Sequence, residues 1–279
     1  VLPDYFKIKW QFDADLWTKM MQYGLPILVA GIAFAINEHF DKILLDWMQV
    51  DMADIGAYSA CYKIGMFMVL FRTAYSLGIE PFFFSHAKNE NAPQTYATIT
   101  KYFVIFGSFI CLGVIVFADI LKLILVPKET YWDAMDVVPL IVLANLFLGI
   151  YTNLSVWYKL IDKTKIGAYI SIVGAIVTLV LNLILIPMIS YMGSAIATIL
   201  AYGTMMFISY YMGQKKYPIP YDKKSIFTYL GLAIVLSGIS FYVPILRETY
   251  VFGIAAILFF AYFVYRNEKE TILTIIRRK

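Results

Sequence analysis

Six ionisable side chains stand in stretches too apolar to hold them without a reason. Glu38, His39, Asp41 and Lys42 fall within one hydrophobic run, and Lys63 and Arg72 within the next. At membrane depth such groups cost several kcal/mol and face a partner or a watery cavity. Both signs are present. Lysine and arginine suit a phosphate or an acidic sugar, whereas Glu38 and Asp41, with His39, suit coupling to a proton or sodium gradient. Glu38 and Lys42 are one helical turn apart, as are Asn37 and Asp41, so the cluster can partly neutralise itself.

Depth along the helices sharpens the picture. The cluster begins about 24 Å into its span, in the outer half of the bilayer, and Lys63 lies about 10 Å below the outer boundary on the returning span, at a similar depth. Antiparallel neighbours would bring Lys63 to Glu38 or Asp41. Arg72 sits about 14 Å deeper, and on an ideal helix it points about 180° away from Lys63. Both face one cavity only if the helix bends, and Gly65, Gly78 and Pro81 are the obvious causes. Two readings stand: an ion-pair network holding two helices together, or the lining of a polar transport cavity. The concentration of charge in two adjacent spans, while the fifth and sixth are almost charge-free, favours the cavity.

These residues need spanning elements to position them. The chain has 279 residues, 61% hydrophobic and only 15% charged, with a mean hydropathy of +0.72. Soluble chains are about 45–50% apolar and about 25% charged. The run from Ile166 to Ile186 has no formal charge and is long enough as a helix to cross a hydrocarbon core of about 30 Å. A soluble enzyme, a nucleic-acid-binding domain and a disulfide-stapled module are excluded. Eight spans are expected: Met21–Leu45, Ala57–Phe84, Tyr102–Val126, Val137–Tyr158, Ile166–Ile186, Tyr191–Met212, Ile226–Val243 and Tyr250–Tyr265. Backbone amides in lipid must be satisfied internally, and the alternation of a β-barrel is absent, so the fold class is all-α, a polytopic helical membrane protein.

Orientation follows from the loops. With the N-terminus inside, seventeen basic residues fall on the cytoplasmic side and three, Lys122, Lys128 and Arg247, on the other. Both ends are therefore expected to be cytoplasmic. In the tail Arg266–Lys279, Ile272, Leu273, Ile275 and Ile276 recur at helical spacing among basic residues, as in a membrane-surface helix. Cys61 and Cys111 lack metal-ligand spacing and are read as packing residues. Asn145, Asn153 and Asn182 are read as interhelical hydrogen bonds. His86 is isolated at the cytoplasmic interface. No metal, cofactor or catalytic group is expected. The chain opens on Val1 without a signal-peptide pattern and is expected to be part of a longer protein.

Further along, Asn182–Leu–Ile–Leu–Ile–Pro187 is followed by Tyr191–Met–Gly–Ser–Ala–Ile–Ala–Thr198–Ile–Leu–Ala–Tyr202. This hairpin resembles that of oligosaccharide flippases, the Wzx-like polysaccharide biosynthesis proteins of the multidrug/oligosaccharidyl-lipid/polysaccharide exporter superfamily. Gly24–Leu–Pro–Ile with Asn37 and Asp41–Lys42–Ile–Leu–Leu, then Gly56–Ala–Tyr–Ser–Ala–Cys–Tyr–Lys63, look like that family's seventh helix and the start of its eighth. Tyr131–Trp–Asp–Ala–Met–Asp–Val–Val–Pro139–Leu is similar to the approach to its tenth.

The resemblance implies the second half of a fourteen-helix transporter. Residues 1–20 would be a cytoplasmic linker, 21–212 a six-helix lobe, 213–265 two additional helices and 266–279 the tail. The implied activity is alternating-access flipping of a polyprenyl-pyrophosphate-linked oligosaccharide to the periplasmic leaflet of a bacterial inner membrane. Arg72, Lys63 and Lys42 would contact the substrate, and Glu38, Asp41 and His39 would couple it to an ion. Membrane lipids and polysaccharide polymerase or export proteins would be the partners, with no nucleic acid. A cation-coupled multidrug exporter is the alternative within the superfamily; it would have an acidic, aromatic cavity without these cations. A membrane-embedded glycan polymerase or acyltransferase lacks its catalytic base and long loop here, and the intramembrane charges weigh against a mere scaffold.

Overall fold

A computed structural model describes residues 12–277, with side chains through residue 269. Among the described residues the secondary structure is helical, without strands. Helix α1 spans Ala14–Trp47. It starts at Asp13, whose carboxylate accepts hydrogen bonds from the amides of Asp15 and Leu16 at 2.9 and 3.0 Å, the usual N-cap device. Helix α2 is Met52–Tyr62, α3 is Met66–His86 and α4 is Ala92–Val116. The short α5, Ala118–Leu125, leads to a 3-10 stretch, Glu129–Val137, and then to α6, Val138–Leu154. After α7, Val156–Leu160, come α8, Thr164–Ile189, and α9, Tyr191–Lys216. Helix α10 is Lys223–Tyr242, α11 is Pro244–Thr249 and α12 is Val251–Arg277.

Seven helices are long and apolar enough to cross a membrane, so the chain is an all-α polytopic membrane protein. The second expected span is the exception. It does not run unbroken over Ala57–Phe84 but is divided by a 3-10 turn at Lys63–Gly65 into α2 and α3. The break lies where Gly65 packs on α6: a Cβ there would stand 2.7 Å from Ile141 Cγ2. The third expected span is also displaced, because α4 ends at Val116 and α5 continues separately. The side chains of Ile272, Leu273, Ile275 and Ile276 lie outside the described residues. So do Lys7, Lys9, Arg278 and Lys279 of the charge pattern.

The centre of the bundle is α6, of whose 17 residues thirteen are buried. Around it, Leu45, Tyr58, Ile64, Met68, Ile141 and Leu146 form the main core. Tyr202, Met205, Trp157 and Ile170 pack a second layer. Helix α8 lies between α1 and α9, while α10 runs along α4. The last helix is fixed by Glu268, 5% exposed, which accepts from Lys101 Nζ at 2.7 Å and Tyr229 Oη at 3.0 Å. That triad ties α12 to α4 and α10.

Antiparallel order sorts the loops onto two faces. One, hereafter the basic face, holds the start of α1, the α7–α8 turn and the end of α9. The opposite face holds Asp119, Asp136 and Arg247 around one hollow. There Arg247 grips Asp119 with two hydrogen bonds, 2.5 and 2.8 Å, and Lys122 adds a third contact at 2.7 Å. Asp119 lies outside the spanning helices. Burial opposes its ionisation, but the bonds from Arg247 and Lys122 outweigh burial and hold the carboxyl below its usual value. A depressed carboxyl stabilises the fold above its unfolded pKa of about 4, and that contribution disappears as pH falls through the lower folded value. Accordingly, Asp119→Asn is expected to lower Tm at neutral pH and to flatten the fall in Tm below about pH 4.

The α8–α9 hairpin explains the small residues read from the sequence. Ser190 turns the chain at φ 52°, ψ −140°, a conformation that side chains rarely adopt. Gly193 then passes so close to α8 that a Cβ would meet the Leu185 carbonyl carbon and oxygen at 2.7 Å. Because the obstacle is backbone, repacking cannot relieve it. Gly193→Val is therefore expected to destabilise the protein by about 1–3 kcal/mol, measurable as a lowered Tm of the full-length protein in detergent.

Candidate functional site

Helix α1 presents two polar stripes side by side. Asn37 and Asp41, one turn apart, are each 2% exposed and face the packed interior. Glu38 and Lys42 are half-buried on the adjoining face, and His39 is exposed. The helix thus separates groups that its sequence crowds together.

Asp41 accepts a hydrogen bond from Tyr58 Oη at 2.5 Å and one from the Lys42 backbone amide at 2.8 Å. Its side-chain oxygens are satisfied without an ion pair to a lysine. Asn37 enters a buried polar ladder that crosses three helices. Its Oδ1 accepts from Thr178 Oγ1 at 2.6 Å, and its amide donates to the Ser171 carbonyl at 3.4 Å. Asn182 Nδ2 donates to the Thr178 carbonyl at 2.7 Å while its Oδ1 accepts from Ser194 Oγ at 2.7 Å. Thr198 closes the ladder on the Ser194 carbonyl. The expected interhelical role holds for Asn182, and for Asn153, which accepts from Tyr75 Oη. It fails for Asn145, whose amide caps the Ile141 carbonyl within its own helix.

Glu38 is paired across the helices, but with Arg72. The guanidinium Nη2 lies 3.5 Å from Oε1, and the two side chains are 14% and 22% exposed respectively. Arg72 also stands over the Phe34 ring at 5.9 Å. Its Nε is buried and has no hydrogen-bond partner among the described residues; the same is true of the Tyr202 hydroxyl. An orphaned buried donor costs about 1–3 kcal/mol, so the Arg72 Nε–H is free to bond an acceptor that the pair with Glu38 does not supply. Lys42 Nζ sits 4.6 Å over the Tyr62 ring.

Lys63 does not join the cluster. It is exposed and forms no ion pair among the described residues, contrary to its expected contact with Glu38 or Asp41. The rotation of α2 is set by Ala57, Tyr58 and Cys61, and Ile64 of the 3-10 turn and Met68 of α3 continue the stripe that enters the core. Lys63 lies off that stripe, and Tyr58 occupies the position opposite Asp41. Sequence reading missed Tyr58 and Tyr62 as members of the site. A signal existed for Tyr58, four residues before Tyr62 on the apolar face of its helix.

Toward the basic face a hollow of about 280 Å³ opens below this site, lined by Tyr23, Ile27, Phe84, Tyr158 and Thr164, and bounded by Glu80, Lys159 and Ser171. Glu80 and Lys159 are ion-paired there, joining α3 to α7. The orientation of α1, α3 and α8 thus places an apolar-walled chamber between the basic face and the Arg72–Glu38 pair.

Residues 26–184, more than half of the chain and including every expected site residue, match the MatE family. The chain belongs to the MatE family. This agrees with the superfamily resemblance seen in the α8–α9 hairpin, at the level of flippases and exporters. Over 190 residues the chain is 25% identical to an uncharacterized membrane protein of Methanocaldococcus jannaschii, covering 68% of this chain and 43% of that protein. Its fold is similar to that of the lipid II flippase MurJ in an inward closed conformation, with a TM-score of 0.68 and 15% identity, over 96% of this chain and 59% of that one. The chain of this MatE member therefore spans less than half of the archaeal relative and about three-fifths of the flippase.

Proposed function

We propose that the chain is part of a flippase that moves a polyprenyl-pyrophosphate-linked oligosaccharide from the cytoplasmic to the outer leaflet of a bacterial inner membrane. The narrower Wzx-like assignment belongs to this reading, as do an inward-facing basic face and the division into linker, six-helix lobe, two further helices and tail. A sugar headgroup cannot enter hydrocarbon alone, because its hydroxyls lose their hydrogen bonds to water. A polar site between this lobe and the rest of the protein shields it, the prenyl tail stays in lipid, and relative rocking of the two parts alternates access.

One observation carries the reading: a half-buried arginine at mid-helix depth, paired to a carboxylate yet with an unused N–H. Arg72 would hold the diphosphate, releasing Glu38 as the anion of the substrate replaces it. Lys42 supplies a second cation nearby, and Lys63 serves only if the other part of the transporter faces it. Asp41, hydrogen-bonded to Tyr58, and Glu38 would carry the coupling ion, while His39 lies outside the packed cluster. Chemistry on the substrate is not required, so no enzyme activity is assigned, and polymerase or export proteins would act downstream of delivery.

The test uses full-length protein in liposomes with a fluorescent polyprenyl-diphosphate-linked oligosaccharide. Time-dependent exposure of the sugar on the opposite leaflet is expected, with no such movement of the same oligosaccharide lacking its diphosphate. Transport of lipophilic cations instead of the diphosphate lipid would favour the drug-exporter alternative.

A further inference from the structure

On the basic face three elements far apart in sequence meet around a hollow of about 730 Å³. Helix α1 brings Lys19 and Tyr23, the α7–α8 turn brings Asp162, Lys163, Thr164 and Lys165, and α9 ends there with Lys216. Four ammonium groups thus surround one carboxylate. None of the four forms an ion pair among the described residues, whereas five other cations of the chain do. All four are exposed, and together they make a positive surface that attracts an anion. The turn that places two of them is itself unusual, since Asp162 holds φ 54°.

A second observation gives the hollow an inward direction. Thr164 is only 8% exposed and makes no side-chain hydrogen bond among the described residues, yet it lines this hollow. Thr164 and Tyr23 also line the inner chamber of about 280 Å³. That chamber ends at Ser171, whose carbonyl is bonded to Asn37, the neighbour of Glu38. The two hollows therefore adjoin through Tyr23 and Thr164, and the inner one extends from the basic face as far as Ser171. The exposed Trp17, Met20 and Met21 on the same end of α1 fit the headgroup level of a bilayer, where aromatic and apolar side chains border lysines.

We propose that this basic hollow is a docking site for a lipid-borne diphosphate, occupied before the headgroup moves on to Arg72. The inference rests on the reading under Proposed function and adds a site to it. Phosphate chemistry is common to the transported lipid and to bulk anionic phospholipid, and the experiment separates the two. Binding of a short-chain polyprenyl diphosphate to the full-length protein in zwitterionic nanodiscs is measured for wild type and for Lys163→Gln/Lys165→Gln/Lys216→Gln. The triple variant is expected to bind at least tenfold more weakly and with a flatter salt dependence. Asp162→Asn removes the opposing charge and keeps a residue that accepts positive φ; it is expected to tighten binding about threefold, a gain that misfolding cannot produce. Unchanged affinity in both variants, with loss confined to Arg72→Ala, would overturn the docking site and leave the flippase reading intact. Equal competition by phosphatidylglycerol would overturn the assignment to a diphosphate. Failure of wild type itself to bind would sink the flippase reading first.

Discussion

Arg72→Ala is expected to slow translocation by about 10- to 100-fold, the equivalent of one charge-assisted contact of about 1.5–3 kcal/mol. The loss has two conceivable origins: a missing substrate contact, or Glu38 left half-buried without its partner at 3.5 Å. The double variant Arg72→Ala/Glu38→Gln separates them. Removing both charges relieves the stranded carboxylate, so a structural pair would regain Tm and transport together. A substrate-binding arginine would regain Tm and stay inactive. Arg72→Lys should recover only part of the rate, because an ammonium lacks the planar fork that grips two phosphate oxygens. The comparison is made in liposomes, with Tm measured on the same preparations.

The distinction matters because the two readings of the intramembrane charges were equally legible from spacing. Hydrophobic run length is dictated by bilayer thickness, so the spanning helices and the sorting of charge between faces follow from composition along the chain. The hairpin around Asn182, Pro187 and Gly193 was also readable, since only small residues allow backbones to approach that closely. Pairing across helices was not. It depends on rotation about each helix axis, which the core stripe of α2 fixes through Ala57, Tyr58 and Cys61. An ideal unbroken helix put Lys63 beside Asp41, while packing put Tyr58 there. Gly65 stood among the residues that could bend the second span, but its close fit against Ile141, where the 3-10 turn lies, depends on the packing of α6. The lysines of the basic hollow were each visible in the sequence, but their meeting depends on three chain segments converging.

Asp41→Asn is expected to uncouple transport from its driving gradient, cutting gradient-driven accumulation at least tenfold while leaving slow equilibration between leaflets. Asparagine retains one oxygen for the Tyr58 hydroxyl and gives up the charge and the bond from the Lys42 amide, so the helix contact to Tyr58 should persist. By contrast, Asp41→Ala strands the Tyr58 Oη, which is 0% exposed as a residue, and should cost about 1–3 kcal/mol of stability. Imposing a proton gradient and a sodium gradient separately across the liposome identifies the ion. If Asp41→Asn responds to both gradients as wild type does, the coupling role passes from Asp41 to Glu38 or to the remainder of the protein.

The central claim, outward movement of a lipid-linked oligosaccharide, is tested most directly in cells. The full-length gene is deleted and the leaflet holding the lipid-linked oligosaccharide is determined by its accessibility to an impermeant sugar-modifying reagent. Accumulation on the cytoplasmic leaflet with loss of surface polymer, reversed by wild type but not by Arg72→Ala, is the predicted result. Normal delivery to the outer leaflet, with short unpolymerised chains, would contradict it and move the protein's role downstream of translocation.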